Sequence, residues 1–121
     1  MSALFIAIYK PLEGNYYHWA LHLKAPHPLV FEVTGSYPSF SPQLSNETPE
    51  TSSRRYRLVE SIYIGDINTV DIEQLKEKIN IQHVDNETVE WNCQDYVLET
   101  TGVLTTTLPR LNLLEQRISG I

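Results

Sequence analysis

Along the first third of the chain, apolar and polar residues alternate with a period of two, the mark of strands that bury one face. Ala3 to Tyr9 reads as a first strand, closed by the turn-rich segment Lys10-Pro11-Leu12-Glu13-Gly14-Asn15. Tyr16 to Lys24 reads as a second. Its alternation sets Tyr17, Trp19, Leu21 and Leu23 on one face and His18, Ala20 and His22 on the other. Ala25-Pro26-His27-Pro28 must be a loop, because two prolines cannot sit in a central ladder. Leu29 to Thr34 then returns as a third strand in a hairpin with the second.

The period is lost from Gly35 to Ser53, a Ser/Pro/Thr-rich stretch with few aliphatics, which predicts a long mobile loop over 35–53. Tyr37, Phe40 and Leu44 are its residues able to pack over a site. Tyr56 to Ile64 is a long strand ended by Gly65-Asp66. Ile72, Leu75 and Ile79 fall at helical spacing, so Asp71 to Ile79 is a predicted helix with Asp71 and Gln74 as its capping box. Asp85-Asn86 marks a turn. Trp91 to Thr101 is a second helix with Gly102 as its C-terminal cap, and Leu111 to Ile118 a third after Pro109. The order of elements predicts an α+β domain, an antiparallel β-sheet packed against helices.

Length and charge narrow the function more than the fold. At 121 residues the chain suits one domain, 1–121. Hydrophobic residues make up 41% and charged residues 20%, the ordinary balance of a globular protein. The net charge is −6, and the basic residues form no stripe beyond Arg54-Arg55 and Arg57, which argues against nucleic acid as a partner. The apolar run Leu4–Ile8 lacks the basic flank of a signal peptide, and no stretch approaches the ~18 apolar residues of a membrane span. A single cysteine makes a reducing, cytoplasmic location the simpler expectation. The sequons Asn46-Glu47-Thr48 and Asn86-Glu87-Thr88 keep secretion open.

That cysteine, Cys93, stands where the second helix begins. Asn92 is a good N-cap residue, which makes Cys93 the first helical residue and turns its sulfur toward unsatisfied amides. Such a position favours a thiolate and can hold an oxyanion. His18 or His22 can supply a base. Glu32 is the candidate to orient it, since the hairpin sets Glu32 across from Ala20 and diagonal to both histidines; a one-residue slip would turn it away. Each residue alone has a plainer reading: a lone cysteine is more often a small buried hydrophobe, and a strand histidine more often structural. His18 and His22 lie ~13 Å apart along a strand and cannot share a metal. With His27 in a Pro loop and His83 isolated, no metal or other cofactor is expected. Five scattered glycines make no nucleotide fingerprint.

Two segments together resemble a known family. His18-Trp19-Ala20-Leu21-His22-Leu23 followed by Asn92-Cys93-Gln94-Asp95-Tyr96-Val97 is similar to the lecithin:retinol acyltransferase-like enzymes of the permuted NlpC-type, papain-like superfamily. The resemblance covers about thirteen residues and a compatible element order, with histidine before cysteine as in the permuted arrangement. It implies a papain-like fold, Cys93 as nucleophile and His18 as base. The chain departs from the pattern where the family carries a second histidine: Val30 stands near that position, and Glu32 is the nearest polar residue. Gln94-Asp95 replaces Glu-His after the nucleophile.

The expectation is therefore a thiol-dependent hydrolase or acyltransferase acting on an amide, ester or thioester of a small molecule or peptide, through an S-acyl intermediate. Cys93 attacks, His18 moves the proton and Glu32 orients His18. The Cys93 amide serves the oxyanion, with Gln94, Asn92 and His22 as secondary candidates. Two alternatives stand beside it: a non-catalytic interaction module on the same fold, and a biosynthetic enzyme using the Cys-His pair for addition or cyclisation. The distance between Cys93 and His18 separates the first alternative from the enzyme reading.

Overall fold

The protein's structure is a computed structural model, and the residues it describes are 2–11, 17–24, 28–46, 56–107 and 112–113. Among the described residues six strands form one sheet: β1 Ser2–Pro11, β2 His18–Leu23, β3 Leu29–Thr34, β4 Ser41–Ser45, β5 Tyr56–Ile67 and β6 Asn112–Leu113. Their spatial order is β4-β3-β2-β1-β5-β6, with every neighbouring pair antiparallel. Two helices follow β5, α1 over Ile72–Asn80 and α2 over Cys93–Thr107. The architecture is α+β.

Alternation along the strands decides what each face buries. Leu4, Ile6 and Ile8 of β1, Trp19, Leu21 and Leu23 of β2, and Leu29 and Phe31 of β3 share one cluster. Ile72, Leu75 and Ile79 of α1 and Val97 and Leu104 of α2 close over it. Those helical positions recur at three, four and seven residues, so each helix presents one apolar stripe. Burying a Leu or Ile side chain contributes about 1.5–3 kcal/mol, which makes this layer the main source of cohesion. The other face is also buried. Ala7, Tyr9, Ala20 and Val30 form a second cluster with Leu58 at its margin, and His18, His22 and Glu32 stand on the same side, each less than a tenth exposed.

The β2–β3 register pairs Leu21 with Phe31, His22 with Val30 and Leu23 with Leu29. Continued by one residue, it sets Ala20 opposite Glu32, as the sequence predicts.

Several boundaries differ from expectation. Residues 41–45, expected inside the loop 35–53, form β4, which pairs with β3 from Thr34↔Ser41 to Val30↔Ser45. All but one residue of β4 are exposed. An edge strand solvated on both faces carries no apolar alternation to read, and Pro42 is tolerated there. The connection before it turns tightly. Gly35 adopts φ +94, and a Cβ there would sit 2.8 Å from the Ser39 carbonyl oxygen. The Tyr37–Pro38 peptide is cis. Residues 47–53 lie outside the described residues.

The helix expected from Asp71 begins as a 3-10 turn, Thr69–Asp71, whose cap is Asn68 accepting from the Val70 N–H. Asp71 makes no side-chain cap hydrogen bond to α1, so the Asp71–Gln74 capping box does not form, and Asp71 is buried. α2 runs through Gly102 to Thr107, so Gly102 is a helix interior residue and not a cap. Asn112–Leu113, expected in a last helix, pair with Asp66 and Gly65 as β6. The rest of that expected helix, 111 and 114–118, lies outside the described residues.

Candidate functional site

Three local devices fix the start of α2. The Asn92 side-chain oxygen accepts from the Gln94 N–H at 2.8 Å, and the Asp95 carboxylate accepts in return from the Asn92 N–H at 2.9 Å. This reciprocal pair is a capping box in which Asn replaces the usual Ser or Thr and Asp the usual Glu. The first helical bond, from the Tyr96 N–H to the Asn92 carbonyl, follows at 3.1 Å. Trp91, just before the cap, packs edge-on against Tyr96 with ring centroids 6.4 Å apart, which is a hydrophobic staple made of two aromatics. The Trp91 indole N–H also donates to Glu99 one turn further on. Asn92 is thus the N-cap and Cys93 the first helical residue, whose N–H has no acceptor within the helix.

Cys93 is 5% exposed and packs with Val33, Trp91 and Tyr96. Its thiol lies 3.8 Å from the carbonyl oxygen of Tyr17, the residue just before β2. The Gln94 side-chain amide donates to the same oxygen at 3.4 Å. The sulfur therefore sits off the end of β2, where it meets a side chain that begins on the sheet's other face.

That side chain is His18. Its Nε2 is 2.6 Å from Glu32 Oε1, and both groups are about nine-tenths buried. A close buried pair of this kind is charge-assisted. The Tyr9 ring covers the imidazole with centroids 5.8 Å apart. Burial alone would drive the imidazolium down. Hydrogen bonding to Cys93 and to Glu32, with the charge attraction of both, outweighs burial and pushes His18 up to about 9. One imidazole thus has a thiol and a carboxylate as partners.

The remaining candidates separate. His22 shares the face of His18, but it lies four residues further along β2, ~13 Å away at ~3.3 Å per residue, with its ring 6.3 Å from that of Phe5. Asn92 is engaged in capping. Gln94 is the polar side chain beside the sulfur, held to Tyr17 by one long bond. Phe40, noted in the sequence as able to cover a site, packs edge-on to Trp91 with centroids 5.5 Å apart. Sequence reasoning missed Tyr9, which the alternation of β1 could have placed on the face of His18, and Asn86. Among the described residues, no three His, Cys, Asp or Glu side chains gather as a metal-ligand set, and no helix is long and apolar enough to cross a membrane. Comparison of the chain with protein-family models, with curated proteins and with solved structures returns no match from any of the three.

Proposed function

We propose that this chain is a small thiol enzyme of the permuted papain-like type, transferring acyl groups from an amide, ester or thioester to water or another nucleophile. The observation that carries the reading is the shared imidazole: His18, buried, is partnered by both the Cys93 thiol and the Glu32 carboxylate. A cysteine at a capped helix start, a histidine on a sheet strand and a carboxylate on the next strand support it. A merely buried cysteine needs none of these.

With His18 pushed up to about 9, its imidazole is basic enough to take the Cys93 S–H proton. The sulfur attacks the carbonyl carbon and the π-electrons move to oxygen. The Cys93 N–H stabilises that oxyanion. Gln94 joins it if its amide leaves the Tyr17 carbonyl. His18 then gives its proton to the leaving nitrogen, oxygen or sulfur as the carbon–heteroatom bond breaks, and the acyl group stays on Cys93. In the second half His18 takes a proton from the incoming nucleophile, and the thioester opens. Glu32 keeps the imidazole in one orientation throughout.

The test is to treat the protein with a generic activated ester and read the intact mass. The expected result is one acyl increment on Cys93, absent from Cys93→Ser and slowed in His18→Gln. A Cys93 that acylates or alkylates no faster than free cysteine at neutral pH overturns the proposal.

A further inference from the structure

The Asn86 side chain does something that neither its sequon nor the reaction accounts for. Its Oδ1 accepts from the Phe40 N–H at 2.7 Å, and its Nδ2 donates to the Phe40 carbonyl at 3.1 Å. One amide thus satisfies both backbone groups of a residue 46 positions away, as a neighbouring strand would. The clamp ties the β3–β4 connection to the segment leading into α2.

That segment is short and internally bonded. The Asp85 carboxylate accepts from the Glu87 and Thr88 N–H groups at 2.8 and 2.9 Å, and the Thr88 carbonyl accepts from the Trp91 N–H at 3.1 Å. Asn86 and Trp91 therefore belong to one bonded turn. They are joined a second time through space, because the Phe40 ring that Asn86 holds packs against the Trp91 indole. Trp91 in turn sets the angle at which the chain enters α2, and Cys93 follows two residues later.

We propose that Asn86 is a positioning residue for Cys93: by clamping the Phe40 backbone it fixes Trp91, and through Trp91 the direction of the thiol toward His18. The inference rests on the Cys93–His18 pairing of the proposed function and deepens it without depending on turnover. A misplacement of a reacting atom by 1 Å can cost about a hundredfold in rate, so a clamp remote from the sulfur has leverage on it.

The test compares the full chain with Asn86→Ala and with Asn86→Asp, which keeps the acceptor for Phe40 N–H and loses the donor to Phe40 C=O. The readouts are the His18 titration followed by NMR and the pH profile of Cys93 alkylation by iodoacetamide, with circular dichroism as the check on folding. Among the described residues, Cys93, Glu32 and Tyr9 are groups set against His18, and none of them is altered. Folded N86A is expected to show a His18 midpoint displaced from about 9 toward its ordinary value, and alkylation near neutral pH slowed by on the order of tenfold, with N86D intermediate. A folded N86A with an unmoved His18 midpoint and an unchanged alkylation profile overturns the proposal, whatever its loss of stability. Should N86A not fold, Phe40→Leu keeps the backbone clamp and removes the ring contact, and the same two readouts decide. If wild-type Cys93 proves unreactive, the enzyme reading fails, and the His18 titration still judges Asn86.

Discussion

Replacing Glu32 by Gln keeps the side chain's shape and removes its charge, which isolates what the carboxylate does for His18. In the folded chain His18 moves from 6.5 up to about 9. At about 1.36 kcal/mol per pKa unit, the fold favours the protonated imidazole by roughly 3 kcal/mol. Because the folded value lies above the unfolded one, that stabilisation is complete below 6.5 and is lost as pH rises through about 9. Glu32 is one of two partners that raise it, the other being Cys93. A hydrogen bond to a charged group contributes about 1.5–3 kcal/mol, so E32Q should lose on the order of 1–2 kcal/mol at mildly acidic pH. Urea unfolding of both proteins across this range is the assay. The gap between them is expected to be widest near pH 6 and to narrow above about pH 9, and NMR should place the His18 midpoint of E32Q below that of the wild type. Two stability curves that run parallel through this window, with an unmoved His18 midpoint, would refute the account.

Two further outcomes follow from α2. Asn92→Ala removes the acceptor for the Gln94 N–H and should cost about 1 kcal/mol in thermal or urea unfolding, with slower alkylation of Cys93 as the helix start frays. Gly102→Ala should stabilise the protein by about 0.5–1 kcal/mol, since Gly102 is exposed and helical and a Cβ there would meet nothing within 4 Å beyond its own stretch of helix; a lower melting temperature would contradict the helical assignment there.

What the sequence made legible was whatever a buried face imprints on it. The alternation from Tyr17 to Leu23 and from Leu29 to Thr34 carries the β2–β3 register, and with it Glu32 beside His18. Asn92 is readable as a cap because capping chemistry is local, although the reciprocal bond from Asp95 was not foreseen. β4 was not readable: nearly all its side chains face water, so its pairing with β3 leaves no apolar alternation in the sequence. The capping box expected at Asp71 was lost to a 3-10 turn begun by Asn68, a choice between adjacent cap residues that residue type does not settle. Gly102 misled because a helix held by Val97 and Leu104 against the sheet can carry an exposed glycine at a cost of under ~1 kcal/mol. The Asn86–Phe40 clamp spans 46 positions, and no local pattern announces such a contact.

Sequence separation also divides the site into a local and a distant part. His18 and Glu32 are 14 residues apart on adjacent strands, whereas the Cys93 sulfur meets Tyr17 across a separation of 76. Close contacts form early and at small entropic cost, and distant ones wait for the loops between them to close. A chain that has made only its β2–β3 hairpin already holds the imidazole and its carboxylate, and lacks the sulfur. The pairing of Cys93 with His18 needs more of the chain in place, because it forms only once α2 has docked on the sheet. A nascent or partly unfolded chain then carries a free thiol without a partner.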